Sequence, residues 1–251
     1  MAKLRAAVLA AGRGVRMGGE RPKTLLPLTG PDGREREPLL YYLLTGLKLA
    51  GVTDVLIVTG FAPEQVEEHV QKYGEGLAVT YRRNFRYASW GNFHSVRVAL
   101  DASPGYDVLV VNSDVVVPPA VYQRVIDTDG DLVLAVQKRD YLSDEDMRVQ
   151  LRGNRVLAVS KQLHRARSHG EFAGVSLVRP VAARAYVRAA SAVEWTGDTH
   201  LYYEDIYDRI LADLDARAAF VGPTEYAEVD TPADIVNALT VLDTHADNNW
   251  A

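Results

Sequence analysis

Short apolar runs alternate with longer amphipathic segments through the first half of the chain. Leu4 to Leu9 reads as a buried strand. Glu37 to Ala50 carries Leu40, Leu43, Leu44 and Leu47 at helical spacing, and Gly51 suits its C-terminal stop. Strand Asp54 to Thr59 follows, then a helix opened by Pro63, strand Leu77 to Tyr81, a helix around Asn92 to Asp101 and strand Val108 to Asn112. Strands alternating with helices of this length predict βαβ units around a mainly parallel sheet. DVLVVNS has the continuous apolar character of a strand covered on both faces.

The texture then changes. Residues 138–172 are rich in charge, and Val149 and Leu151 before Arg152–Gly153–Asn154, with Val156, Leu157 and Val159 after it, predict a hairpin. Phe172 to Val178 returns to strand, Pro180 opens a helix, and residues 191–202 read as a loop. Tyr203 to Leu214 is expected to be helical, Tyr226 to Val229 a short strand and Asp234 to Leu242 a closing helix, with a loose tail after it. No internal repeat or low-complexity linker interrupts the chain, so a single domain is expected.

With 251 residues, 47% of them hydrophobic and 24% charged, the chain can bury a sizeable core and has the balance of a soluble globular protein. A net charge of -5 offers no general basic field for a nucleic-acid backbone, so a nucleic-acid partner is not expected. There is no cysteine, which excludes disulfides, thiolate zinc sites, iron–sulfur clusters and thiol nucleophiles. The six histidines (69, 94, 164, 169, 200, 245) show no metal-ligand spacing. The opening apolar run is too short for a membrane span and is not followed by a cleavage-site layout. A cytoplasmic enzyme with no membrane partner is the expectation.

Candidate chemistry starts at residues 9–28, LAAGRGVRMGGERPKTLLPL. A strand runs into a glycine-rich loop holding Arg13, Arg16 and Lys23. Glycines let backbone N–H groups turn toward an anion, and the cations neutralise its charge. Gly19 precedes Glu20 where a Walker A loop needs Lys, and Met17 stands where a dinucleotide fingerprint needs a third small residue. Gly12-x-Gly14-x-Arg16-Met17…Pro22-Lys23 instead resembles the signature of the sugar-phosphate and alcohol-phosphate nucleotidyltransferases. Asn84 to Leu100 is similar to the segment that frames the nucleotide in cytidylyltransferases of the phosphocholine and 2-aminoethylphosphonate type. The segments NSDVVV, DEDMRV…VSKQL…GEFAGVSLV, YYEDIYDRIL and YAEVDTPADI extend the likeness over nearly the whole chain.

The resemblance implies an α/β, Rossmann-like fold of the nucleotide-diphospho-sugar transferase type, with a small acceptor-side β insertion. Residues 1–251 would form one nucleotidyltransferase domain, with a nucleotide-binding part over about 1–137, an acceptor-side part over about 138–230 and a closing helix over about 231–243. The implied reaction is transfer of CMP from CTP to a small phosphate or phosphonate acceptor, with release of pyrophosphate. The alternative is a sugar-1-phosphate nucleotidyltransferase using UTP, dTTP or GTP. A glycosyltransferase would want an Asp-x-Asp metal motif, and Asn112 occupies its first position.

By the same resemblance, Lys23 is assigned to the α-phosphate, as an exposed loop lysine, and Arg13 and Arg16 to the β- and γ-phosphates. Leu9, Ala10, Ala11, Gly12, Gly14, Asn92, Ser95 and Ser113 would contact the nucleotide. Asp114 and Asp230 would hold Mg²⁺, a hard ion suited to carboxylates. Lys161, Asp140, Glu171, Tyr203, Glu204 and Asp205 would face the acceptor, where carboxylates beside aromatic rings suit an ammonium group. Tyr203 and Tyr207 also fall on an apolar helical stripe, which favours the core for both rings. A homodimer is admitted as the assembly.

Overall fold

The structure is a computed structural model and describes residues 3–14, 19, 21–139, 141–246 and 250. Strand β1 (Lys3–Ala10) opens the chain. A short antiparallel pair, β2 (Pro27–Thr29) and β3 (Glu35–Pro38), leads into helix α1 (Leu39–Leu49). Two β–α steps follow: β4 (Asp54–Thr59) into α2 (Pro63–Tyr73), and β5 (Ala78–Arg83) into α3 (Phe93–Asp101). Next come β6 (Tyr106–Asn112), the two-residue β7 (Val115–Val116) and α4 (Pro119–Asp127). Then β8 (Leu132–Gln137), the hairpin β9 (Arg148–Arg152) and β10 (Arg155–Ser160), and β11 (Gly170–Val178). Helices α5 (Pro180–Thr196) and α6 (Tyr203–Ile210), strands β12 (Ala216–Val221) and β13 (Ala227–Glu228), and helix α7 (Ile235–Thr244) complete it.

Nine strands form one sheet in the order β5-β4-β1-β6-β11-β8-β12-β10-β9. The first four are mutually parallel. β11 then runs antiparallel to both β6 and β8, and β10 runs antiparallel to β12 and β9. β9 also pairs with β11, so the last five strands close into a ring. The α/β expectation stands, but the sheet is mixed where a mainly parallel one was expected. The reason is physical: β11 is buried along its whole length, and a strand covered on both faces carries the same apolar run in either direction.

Strand alternation divides the core. Ala6 and Val8 of β1 point to the side covered by α1, α2 and α4, whereas Ala7 points to the side covered by α3, α5 and α6. Several boundaries differ from expectation, and two show why. α1 starts at Leu39 because Pro38 pairs with Pro27 of β2. α5 continues to Thr196, into the expected loop, because Ala190 and Val193 prolong its buried stripe; Gly197, at φ 80°, then stops it. Within the tail expected to be loose, Trp250 is anchored, while residues 247–249 and 251 lie outside the described residues. Trp250 is 1% exposed, packs beside Tyr42 and donates its indole N–H to the Tyr42 carbonyl at 2.8 Å. Trp250→Ala should therefore cost about 3 kcal/mol of stability, which chemical denaturation will measure; an unchanged midpoint would show the anchor to be idle.

Candidate active site

β1, β4 and β6 end side by side, and the chain leaves Ala10 at the carboxyl edge where open α/β sheets bind ligands. Gly14 sits at φ 63°, and a Cβ there would come within 2.5 Å of the Lys23 Cβ, so only glycine lets the loop fold back over Lys23. Beneath the loop lies a cavity of about 320 Å³. Leu9, Ala10, Ala11, Gly12, Gly14, Asn92, Ser95 and Ser113 all line it, together with Lys23, Asn112, Asp114 and Asp230. The Ser113 hydroxyl donates to the Leu9 carbonyl at 2.8 Å and ties the ends of β1 and β6 together. Arg13 is on the loop but does not line the cavity; its Nε donates to the Gly19 carbonyl at 3.3 Å and its guanidinium lies over the Phe61 ring. Arg16 and Asp140 lie outside the described residues.

The two aspartates meet through the smallest strands of the fold. β7 and β13 pair with Glu228 opposite Val115, and the Val229 N–H donates to the Asp114 carbonyl at 2.9 Å. Lys23 lies between them. Its Nζ is 3.0 Å from Asp114 Oδ2 and also ion-pairs with Asp230 Oδ1. Only 12% of the Lys23 side chain is exposed, so this is not the exposed loop lysine expected. Burial alone would lower its pKa, but the charges and hydrogen bonds of Asp114 and Asp230 outweigh it and raise the pKa instead.

A third carboxylate joins the pair. One oxygen each from Asp114, Glu228 and Asp230 lies within 4.8 Å of the others. Glu228 borders cavity solvent, yet protein crowds it; that desolvation, with the charges of Asp114 and Asp230, pushes its carboxyl up to about 8. Asp114 Oδ1 is buried without a hydrogen-bond partner among the described residues. An orphaned oxygen on a carboxylate that clusters with two others fits a hard divalent cation. The sequence reading passed over Glu228. Its signal was the E-x-D spacing of Glu228 and Asp230, which places both on one face of an extended chain.

Past these carboxylates lies a second cavity of about 270 Å³, which shares Asn92, Asn112, Asp114 and Asp230 with the first. Lys161, Glu171 and Glu204 line it, as do Glu145, Asp146, Phe172, Tyr202 and Tyr226. Tyr203 and Asp205 do not. Tyr203 is fully buried, with its hydroxyl donating to Asn112 Oδ1 at 2.9 Å and its ring edge-on to Phe172 and Tyr207. Asp205 accepts the Tyr202 N–H at 2.8 Å and caps α6. Extended backbone at Tyr202 turns that ring into the cavity instead, 5.1 Å from Lys161 Nζ.

Glu204 is 4% exposed, and its Oε2 is buried with no hydrogen-bond partner among the described residues. Desolvation pushes its carboxyl up to about 8. Burial likewise raises Glu171 to about 7, although the Arg139 guanidinium 2.9 Å away opposes the shift.

Residues 6–238 match the model of the MobA-like NTP transferase domain. CMP-5'-(3-aminopropyl)phosphonate synthase of Streptomyces rubellomurinus is 36% identical over 125 residues, 49% of this chain and 19% of that protein. Choline-phosphate cytidylyltransferase of Streptococcus pneumoniae is 33% identical over 96 residues, 37% of this chain and 38% of that protein. The chain thus spans less than two fifths of the length of either relative. Among solved structures, CTP:phosphocholine cytidylyltransferase from Streptococcus pneumoniae superposes with a TM-score of 0.75 at 21% identity, over 96% of this chain and 99% of the other. Inositol-1-phosphate CTP transferase from T. maritima gives 0.78 at 19% identity, over 97% and 98%. At these identities the structural likeness establishes the fold, and the family match covers nearly all of the sequence. The chain belongs to the MobA-like NTP transferase domain family.

Proposed function

We propose that this chain is a Mg²⁺-dependent cytidylyltransferase that transfers CMP from CTP to a small phosphate or phosphonate acceptor bearing an ammonium group. The supporting observation is that two cavities, one under a glycine loop and one rich in carboxylates, meet at Asp114 and Asp230. The relatives named for CMP-aminopropylphosphonate and choline-phosphate chemistry favour the same reading.

The acceptor oxygen is already anionic at neutral pH, so no general base is needed. It attacks the α-phosphorus; a new P–O bond forms as the bond to the β-phosphate oxygen breaks, and pyrophosphate leaves with the electron pair. Catalysis is then positioning and charge neutralisation. Lys23 is assigned to the α-phosphate and incoming oxygen, and Arg13 and Arg16 to the leaving phosphates. Asp114, Asp230 and Glu228 would hold the Mg²⁺, which when bound draws charge off the phosphate oxygens.

Glu204 and Glu171 place carboxyl groups deep in a cavity whose substrate is otherwise anionic. A cation on the acceptor reconciles the two, with the ring of Tyr202 beside it and Lys161 left for the acceptor phosphate. Above about pH 8, where Glu204 is ionised, Glu204→Gln should raise KM for an amine-bearing acceptor about 30-fold, the scale of a desolvated contact of roughly 2 kcal/mol, and leave KM for CTP unchanged. pH supplies a second check. With a carboxyl near 8, Glu204 is largely protonated at neutral pH and must ionise to hold an ammonium. An acceptor amine near pKa 10 stays charged throughout. The acceptor's kcat/KM should therefore climb between about pH 6.5 and 8.5, and Glu204→Gln should flatten the climb.

The class of reaction is tested by pyrophosphate release from CTP, UTP, dTTP and GTP against phosphocholine, aminoalkylphosphonates and sugar 1-phosphates. Best turnover with UTP, dTTP or GTP and a sugar 1-phosphate would replace the cytidylyl reading. No release with any pair would end the enzymatic one.

A further inference from the structure

Asn84 is 1% exposed, lies just beyond β5 and does not line the first cavity. Its side chain is pinned by unambiguous partners. Oδ1 accepts the Arg86 backbone N–H at 2.8 Å, and a backbone N–H can only donate. This settles the orientation of the amide, so Nδ2 is the atom facing Ser95 Oγ at 2.9 Å, and it can only donate. His94 Nδ1, 2.9 Å from Oδ1, is then the protonated ring nitrogen. Burial lowers the pKa of His94, in keeping with a neutral ring.

The consequence falls on Ser95. Its oxygen is engaged as an acceptor, and among the described residues its hydroxyl proton has no acceptor. Ser95 lines the cavity, so the free direction is into it. We propose that Asn84 is a positioning residue for the nucleotide base: by donating to one Ser95 lone pair it keeps the hydroxyl proton from turning toward residue 84 and leaves it for the cavity, so that Ser95 can donate to an acceptor atom of the base. For cytosine that atom is the carbonyl oxygen at position 2 or the ring nitrogen at position 3, and for uracil a carbonyl oxygen at position 2 or 4. The inference rests on the reading of this cavity as the nucleotide site.

Asn84→Asp tests it with almost no change of shape. The Arg86 N–H and His94 Nδ1–H still reach one carboxylate oxygen, but the other now accepts where Nδ2 donated. Ser95 turns its proton back toward residue 84 and presents lone pairs to the base. Equilibrium binding of CTP with Mg²⁺, at 0.15 M salt to damp the added charge, should weaken roughly tenfold. Ser95→Ala alone should weaken it roughly fivefold, and Asn84→Asp added to Ser95→Ala should cost nothing more. Inorganic tripolyphosphate, which has no base, should bind all four proteins alike.

Equal losses of CTP and tripolyphosphate, or the same tenfold loss in the Ser95→Ala background, would show Asn84 to be merely structural and overturn the proposal. So would unchanged CTP binding by Asn84→Asp. Should that variant not fold, Asn84→Ala applies the same cycle, with a loss of roughly threefold confined to proteins that retain Ser95. Failure of the wild-type chain to bind any of CTP, UTP, ATP or GTP would instead strike the nucleotide reading itself.

Discussion

Asp114→Asn and Asp230→Asn should each lower turnover by roughly 10³-fold, the scale seen when one member of a charge-stabilising group is removed. The double variant should be hardly worse than either single one. The argument is geometric. The two carboxylates lie 116 residues apart in the chain and meet where β7 pairs with β13, with Glu228 completing the group within 4.8 Å. A shared cation bound at three oxygens is lost when any one is neutralised, so the effects act as a unit. Steady-state pyrophosphate release on the three variants measures the coupling, and Mn²⁺ titration of each reads the site without turnover. Multiplying losses in the double variant would mean that the aspartates act separately, and full activity in excess EDTA would remove the metal from the mechanism.

The placement of these groups shows where the sequence is informative. Asp54 to Thr59 was legible to the residue, because a buried central strand bounded by Gly51 and Gly60 has no competing pattern. The glycine loop was legible for a different reason: Gly14 answers a steric demand imposed by Lys23, so the motif carries its own geometry. The direction of β11 was not legible, since strand polarity leaves no trace in an apolar run. The choice between Tyr202 and Tyr203 was legible in part: the stripe favoured the core for Tyr203, while the resemblance put it at the acceptor. The start of α6 at Tyr203 decides which ring enters the cavity and which joins Phe172 and Tyr207 in the core. Trp250 escaped because a lone aromatic in a polar tail has no periodicity, and its partner, the Tyr42 carbonyl, lies 208 residues earlier.

Replacing Lys23 by Met should cut turnover by at least about 10²-fold, and its burial gives this substitution a second signature. An exposed loop lysine would be removable at little cost. This one instead has its ammonium between Asp114 and Asp230, and its removal leaves Asp114, Glu228 and Asp230 facing one another without that charge. Carboxylates so crowded repel one another and gain more from any cation that enters. The nucleotide-free variant should therefore bind Mn²⁺ more tightly than the wild-type chain, although it is the poorer catalyst. The two readouts move in opposite directions, which a general loss of structure cannot produce. Calorimetric titration of nucleotide-free protein measures the first, and pyrophosphate release the second. Weaker Mn²⁺ binding by Lys23→Met would mean that the lysine orders the carboxylates rather than competing for them. Near wild-type turnover would remove Lys23 from the phosphate-binding role altogether.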